Sequence, residues 1–228
     1  MENSAGLTVI ARMKSGFASK FGIPRQSGIV KDLKSEVVFE PEFSNPDFVR
    51  GLDQFSHIWL LWEFSAVQKR DISPTVRPPR LGGNTRVGVF ATRSPFRPNS
   101  IGLSCVKLDA VEHTGGRLIL HVSGADLMDG TPIYDIKPYL AYADCHSDAS
   151  CGFAGGEMRR LNVVFDDAVE DKIPADVKSA LCGILACDPR PAYQDNPDRV
   201  YGFSFYGIEV KFRVRGDTLT VVGALPEK

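Results

Sequence analysis

The sequence lacks the features that mark membrane, secreted and disulfide-stabilised proteins. Its longest strongly apolar segment, residues 57–67, contains Glu63 and is far shorter than the ~20 apolar residues of a membrane-spanning helix. Residues 1–6 have neither the basic nor the apolar region of a secretory signal. The five cysteines form no Cys-x-x-Cys pair and no dense framework, which is typical of free thiols in a reducing compartment. We therefore expect a soluble, cytoplasmic protein that spans no membrane.

The two common nucleotide-binding fingerprints are also missing. There is no Gly-x-Gly-x-x-Gly after a predicted strand, and no glycine-rich loop that ends in Gly-Lys-Ser or Gly-Lys-Thr. This absence excludes the doubly wound sheet with its phosphate-binding turn, so a nucleotide-like cofactor would need a different cradle. Cys145, His146 and Cys151 lie close together, but their spacing fits no structural zinc pattern, and we expect no metal site.

Residues 1–145 are predicted to form a domain of short β-strands. Runs of β-branched, leucine and aromatic residues alternate with Gly and Pro turns, a pattern that favours a β-barrel or a β-sandwich. One short helix is predicted over residues 46–51. The predicted strands cover residues 8–13, 36–40, 57–64, 86–91, 102–111, 118–123 and 133–138.

Residues 146–228 are predicted to form a small α+β domain. The small and polar residues of 141–156 indicate a linker at its start. The predicted elements are a strand at residues 160–165, a helix from Pro174 to about Leu185 and a hairpin that pairs residues 203–214 with 218–222 across Arg215-Gly216-Asp217.

Between Ile72 and Leu108 the chain contains no Asp or Glu, although its formal net charge is only -1. Five prolines and four glycines in this stretch indicate stiff loops, because proline fixes φ and glycine allows a close backbone approach. The planar fork of arginine matches phosphate and carboxylate, so the stretch indicates an anionic ligand. The alternative is a plain basic loop, or arginines that pair with acidic residues elsewhere. The basic residues are Arg77, Arg80, Arg86, Arg93, Arg97 and Lys107.

Two other loops carry polar groups on Gly and Pro turns. Residues 22–28 place Arg25 and Gln26 directly after Pro24. Residues 126–139 include Asp-Gly-Thr-Pro, which is either a plain turn between strands or a site whose carboxylate and backbone groups bind ribose hydroxyls or an amine.

Several of these segments together closely resemble the TsaA-like family. They are residues 51–59, 77–84, 88–99 and 126–139, and residues 188–193 are similar to a signature of the C-terminal domain of bacterial members. Characterised members are S-adenosylmethionine-dependent tRNA methyltransferases that act on N6-threonylcarbamoyladenosine at position 37, beside the anticodon. The resemblance implies a β-barrel core unlike the usual methyltransferase fold, a small C-terminal domain and a homodimer.

The resemblance also implies a set of cofactor-binding residues. Ser65 and Ala66 belong to it although they lie in the segment 64–75, which departs most from the family pattern. The implied set is Pro24, Arg25, Gln26, Ser65, Ala66, Arg93, Leu103, Asp129, Gly130, Thr131 and Pro132.

Methyl transfer from a sulfonium is an in-line displacement, so alignment of the acceptor nitrogen supplies much of the rate enhancement. The acceptor N–H lies between a purine and a carbamoyl carbonyl and is more acidic than a simple exocyclic amine. A modest proton acceptor therefore suffices, and the candidates are Asp129, Tyr134 and Asp135.

S-adenosylmethionine has no phosphate, so the tRNA explains the remaining arginines better than the cofactor does. Arg77, Arg80, Arg86 and Arg97 are expected to face the tRNA backbone or the threonyl carboxylate in the anticodon loop. Phe96 is either a stacking platform for a base or a core residue. Two alternatives stay open: a non-catalytic RNA-binding module, and a methyltransferase of the same fold with a small-molecule or protein acceptor.

Overall fold

The structure, a computed structural model, describes residues 6–67, 73–156, 158–191, 194 and 196–226. Its N-terminal part contains the strands of a closed β-barrel and a separate two-stranded ribbon. The barrel strands are Ala11–Lys14 (β1), Lys34–Phe39 (β2), His57–Glu63 (β3), Ile101–Thr114 (β6), Arg117–Ser123 (β7) and Pro132–Pro138 (β8), and the ribbon strands are Thr75–Val76 (β4) and Val87–Gly88 (β5). The barrel order is β1-β2-β7-β6-β3-β8, and it closes because β8 pairs with both β3 and β1. The predicted β-barrel is confirmed.

Alternation of side chains along the strands fills the barrel. Ile58, Leu60 and Trp62 of β3 point inward and are buried, while the residues between them face outward. Burial of one such side chain stabilises the fold by about 1.5–3 kcal/mol. Closure also removes the free strand edges on which another strand could add.

The C-terminal part is a four-stranded sheet with helices packed on it. Its elements are Asn162–Phe165 (β9), Asp167–Glu170 (α2), Ala175–Ala186 (α3), Tyr201–Phe205 (β10), Ile208–Arg215 (β11) and Thr218–Pro226 (β12); Ala141–Asp144 (α1) precedes them. The strand order is β10-β11-β12-β9, in which β9 pairs in parallel with β12 and the other pairs are antiparallel. Phe205, Phe212, Leu181 and Leu185 lie in the buried core of this part.

Short 3-10 turns complete the connections. They are Pro41–Phe43, Pro46–Val49, Leu52–Gln54, Pro79–Leu81, Val89–Ala91 and Gly152–Ala154. The helix predicted over residues 46–51 is therefore one 3-10 turn.

Two strand predictions are wrong. Residues 86–91 contain only the two strand residues of β5, followed by a 3-10 turn, since the closed barrel offers this segment no edge. Residues 203–214 are two strands and not one, because Tyr206 and Gly207 adopt positive φ angles of 48° and 72° and reverse the chain. The aromatic and β-branched residues of 203–214 favour one continuous strand, so the sequence pattern did not predict this turn.

Some predictions fall outside the described residues. These are residues 68–72 of the divergent segment 64–75, and residues 192 and 193 of the C-terminal signature. The division of the chain at residues 145 and 146 stays a prediction.

Candidate functional site

Three sequence-distant segments meet beside the barrel. The guanidinium of Arg93 donates a hydrogen bond to the side-chain oxygen of Gln26. The backbone of Ser27 lies close enough to the Asp126 carboxylate to lower its pKa, and Gly28 N donates to the carbonyl of Gly124 at 2.8 Å. The loop of residues 24–28, the acid-free arginine stretch and the β7–β8 loop thus come together, as a shared binding site requires.

Asp126 is the most strongly constrained polar group of this site. Its Oδ1 accepts the hydroxyl hydrogen of Ser104 at 2.5 Å, and Ser104 in turn accepts the indole N–H of Trp62 at 3.0 Å. Burial raises the pKa of Asp126, while the Ser104 hydrogen bond and the positive charge of Arg93 oppose that rise. A buried carboxylate of this kind gains from a cationic ligand.

The sequence predictions did not include Asp126 or Ser104 among the binding residues. Asp126 only marked the start of a motif, and Ser104 lies at an inward position of β6 that an apolar residue normally fills. A serine among the otherwise apolar inward positions of β6 was the feature of the sequence that could have pointed to this site.

Gly102 lets the Trp62 ring lie flat against β6. The two residues are direct partners in the β3–β6 ladder, and a Cβ at residue 102 would approach Trp62 Cε2 to 2.3 Å. Glycine at residue 102 therefore leaves the space that the Trp62 indole occupies. The N–H of this indole begins the chain of hydrogen bonds to Asp126.

The predicted cofactor residues 129–132 form a tight turn tied to the chain after β1. Asp129 Oδ1 accepts the N–H of Ser15 at 3.0 Å, and the N–H of Asp129 donates to the Phe17 carbonyl at 2.9 Å. Gly130 has a φ of 73°, and the buried Thr131 donates its hydroxyl to the Met128 carbonyl at 2.7 Å. This turn is a rigid wall of the site, and the buried Pro132 is the first residue of β8.

The other predicted cofactor residues are less closely connected. Pro24 is buried and Arg25 is exposed on the same loop as Gln26. Ser65 and Ala66 form an exposed turn directly after β3, and Leu103 is 52% exposed on the outer face of β6. The described contacts do not join Ser65, Ala66 or Leu103 to Arg93.

The three candidate proton acceptors differ in how their oxygens are used. Tyr134 donates its hydroxyl to Glu63, and burial together with this carboxylate raises the pKa of Tyr134 to about 12. Asp135 accepts the Ile136 N–H at 2.9 Å and Lys137 Nζ at 2.9 Å. Tyr134 is thus a neutral hydroxyl at physiological pH, and Glu63 is a neighbouring carboxylate that the sequence did not single out.

The arginines of the acid-free stretch are not neutralised by acidic side chains. Arg80 donates to the Ala154 carbonyl, Arg86 Nε to Thr75 Oγ1 at 2.8 Å and Arg97 Nη1 to the Thr92 carbonyl at 3.0 Å. Arg77 is exposed. Within the described ranges none of Arg77, Arg80, Arg86, Arg93 and Arg97 forms an ion pair with Asp or Glu. Their positive charge is therefore available to an anionic ligand.

Aromatic side chains accompany these arginines. The Arg97 guanidinium lies 5.9 Å from the centre of the Phe90 ring, and Phe90 is 76% exposed. Phe96 is 48% exposed, so it is not a core residue. An exposed ring beside an arginine is the arrangement on which unpaired bases stack.

In the part of the chain that the structure describes, no three His, Cys, Asp or Glu side chains are placed to share a metal ion. Among the same residues, no helix combines the length and the apolar character needed to cross a membrane.

Two family models match the chain. Residues 12–145 match the tRNA-methyltransferase O N-terminal domain, and residues 159–227 match the TrmO C-terminal domain.

Individual relatives agree with these matches. A tRNA (adenine(37)-N6)-methyltransferase of Escherichia coli (strain K12) is 41% identical over 214 residues, which cover 90% of this chain and 91% of the relative. A putative S-adenosylmethionine-dependent methyltransferase RcsF of Pseudomonas aeruginosa is 39% identical, with 93% and 94% covered. A crystal structure of TrmO from Pseudomonas aeruginosa superposes with a TM-score of 0.81 at 32% identity, and covers 99% of each chain.

Proposed function

The chain belongs to the tRNA-methyltransferase O family, and we propose that it transfers the methyl group of S-adenosylmethionine to N6 of adenine 37 in tRNA. The modified base at that position is N6-threonylcarbamoyladenosine. The enzyme works in the cytoplasm as a homodimer.

The observation that carries the proposal is the meeting of Gln26, Arg93 and Asp126. Arg93 and Asp126 come from two of the segments through which the sequence resembles methyltransferases, and Gln26 comes from the separate loop of residues 22–28. Their side chains and backbone groups contact one another although about 100 residues separate the first from the last. A site built from such distant segments is specified by the fold and not by a local turn.

The polar groups present fit S-adenosylmethionine, which supplies a methyl group on a sulfonium centre. Its amino-acid end carries a carboxylate and an ammonium, which are complementary to the Arg93 guanidinium and the Asp126 carboxylate. The raised pKa of Asp126 adds to this fit, because a cationic partner stabilises the ionised form of a buried carboxylate. The exposed Leu103 offers apolar surface to an adenine ring.

The chain contributes positioning and proton removal to the reaction. Residues 129–132 are held by backbone hydrogen bonds to β1 and the loop after it, so the wall of the site does not need to reorganise when the acceptor base arrives. Asp129, Tyr134 and Asp135 stay the candidates for the proton acceptor. Glu63 joins Tyr134, since the neutral Tyr134 hydroxyl accepts a proton only as it passes its own proton to the Glu63 carboxylate, to which it is hydrogen-bonded.

The tRNA binds to the arginine surface formed by Arg77, Arg80, Arg86 and Arg97. These residues have no acidic partner among the described residues, and their guanidinium groups therefore attract backbone phosphates or the threonyl carboxylate. Exposed Phe90 and Phe96 beside them suit the unpaired bases of an anticodon loop.

The test is a methylation assay with purified protein, methyl-labelled S-adenosylmethionine and tRNA that either carries or lacks threonylcarbamoyladenosine. We expect label only in the tRNA that carries the modification. A non-catalytic RNA-binding module would give salt-sensitive tRNA binding without label. An enzyme with a small-molecule or protein acceptor would bind the cofactor but label neither tRNA, and either result would refute the proposal.

A further inference from the structure

The connection between β1 and β2, residues 15–33, belongs to the barrel in sequence but to the C-terminal sheet in packing. Phe17, Val30 and Leu33 of this connection are buried in one core with the C-terminal residues, and not in the barrel core. Phe17 lies 5.2 Å from the ring of Phe205, and Phe21 lies 6.2 Å from the ring of Phe203. The β1–β2 connection is therefore shaped by the C-terminal sheet.

The hairpin turn between β10 and β11 holds both ends of the connection. The N–H of Tyr206 donates to the Gly16 carbonyl at 2.9 Å, and its hydroxyl donates to the carbonyl of Lys34, the first residue of β2. The Tyr206 ring occupies the place of a side chain at residue 16, where a Cβ would lie 2.5 Å from it. One residue thus spans the entry and the exit of the β1–β2 connection.

The helix α3 holds the second half of the connection. A Cβ at Gly183 would lie 2.8 Å from Val30 Cγ1, so the helix approaches this valine closely because residue 183 is glycine. The hydroxyl of Ser179 donates to Asp32 Oδ2 at 2.5 Å. These contacts order the connection from the side opposite to the barrel.

The middle of the same connection faces the candidate cofactor site. Gln26 accepts the Arg93 hydrogen bond, the Ser27 backbone lies close enough to Asp126 to lower its pKa, and Gly28 donates to Gly124. The groups that the cofactor is proposed to meet are therefore carried on a loop whose ends and apolar side chains are fixed by another domain.

We propose that the C-terminal domain positions the cofactor-binding loop, and that Tyr206 is the positioning residue that fastens it. This inference rests on the proposed function, because it takes residues 24–26 as part of the cofactor site. A loop that is ordered before the ligand arrives loses less conformational entropy on binding, so the affinity for the cofactor is higher. Loss of the fastening should weaken cofactor binding and leave the arginine surface intact.

Tyr206→Asn is the informative substitution. Asn-Gly is the preferred pair for a two-residue hairpin turn with positive φ at both positions, so the turn itself is kept while the ring and the hydroxyl are removed. We expect the dissociation constant for S-adenosylmethionine to rise about tenfold, since one hydrogen bond and a ring contact are lost. The dissociation constant for tRNA and the kcat at saturating cofactor should stay within about twofold, which is the ordinary range for a distant surface change.

Amide hydrogen exchange of the free protein supplies a readout that does not depend on the cofactor. The amides of residues 25–28 should exchange faster in Tyr206→Asn than in the wild type. Tyr201→Phe is the matched control, because the buried Tyr201 hydroxyl in β10 has no hydrogen-bond partner among the residues that the structure describes, and its removal should change neither readout. Tyr206→Phe keeps the ring and should give a smaller shift in the same direction.

Each result decides one of the two proposals. Faster exchange at residues 25–28 together with weaker cofactor binding supports the positioning role. Unchanged exchange, or faster exchange with an unchanged cofactor dissociation constant, overturns it. If the wild-type protein binds no S-adenosylmethionine, the proposed function fails, and the exchange of Tyr206→Asn still shows whether the C-terminal domain orders the loop.

Discussion

Replacement of Arg93 by alanine tests the link between the arginine stretch and the cofactor. The variant removes the hydrogen bond to Gln26 and the positive charge that opposes the raised pKa of Asp126. A hydrogen bond to a charged group contributes about 1.5–3 kcal/mol, and the exposure of Arg93 in the free protein places its value near the lower end. A loss of about 1.5–2 kcal/mol corresponds to a dissociation constant for S-adenosylmethionine that is about 10–30 times higher.

The assay is calorimetric titration of the free protein with S-adenosylmethionine. Arg77→Ala is the charge-matched control, because it removes one positive charge from the same stretch at an exposed position without a described partner. The fold should survive in both variants, since neither side chain is buried. An unchanged dissociation constant for Arg93→Ala, or an equal loss for Arg77→Ala, would refute the assignment of Arg93 to the cofactor.

The other predictions concern packing, charge and tRNA binding. Gly102→Ala should lower the free energy of unfolding by about 1–3 kcal/mol in a denaturant titration, because its Cβ would meet the Trp62 ring at 2.3 Å; Gly88→Ala, with open space around residue 88, should change it little. Burial raises the pKa of Asp126 above 3.8, so ionisation of this carboxyl group destabilises the folded state. Its contribution to stability is fully present below pH 3.8 and is lost as the pH rises through the pKa of the folded state. The unfolding free energy of Asp126→Asn, relative to that of the wild type, should therefore increase from acidic to neutral pH. A difference between the two free energies that does not change with pH would contradict the pKa shift. The same variant should bind the cofactor more weakly than the wild type. Arg77→Ala should reduce the slope of log Kd for tRNA against log salt by about 0.7–0.9, and an unchanged slope would mean that Arg77 contacts no phosphate.

The barrel was predictable because its signal is local. Inward and outward positions alternate along β3, and Ile58, Leu60 and Trp62 at every second residue are sufficient to identify a half-buried strand. The prediction of a strand over residues 86–91 was wrong for a non-local reason, since the barrel is closed by the other strands.

The connections between segments could not be predicted in the same way. The hydrogen-bonded chain from Trp62 through Ser104 to Asp126 depends on the register of β3 against β6, which no local pattern encodes. Likewise, the apolar residues of the β1–β2 connection have no strand or helix period, and only the C-terminal core explains why Phe17 is buried. The candidate site residues were identified through the family resemblance, and the residues that hold them in place became visible only in the fold.

Nucleoside analysis of the product shows whether the protein methylates N6 of a threonylcarbamoylated adenine. tRNA bearing threonylcarbamoyladenosine at position 37 is incubated with the protein and S-adenosylmethionine, digested to nucleosides and analysed by mass spectrometry. We expect complete conversion of threonylcarbamoyladenosine to a species one methyl group heavier, with the methyl on N6. Unconverted threonylcarbamoyladenosine, or a methyl group on any other nucleoside, would contradict it.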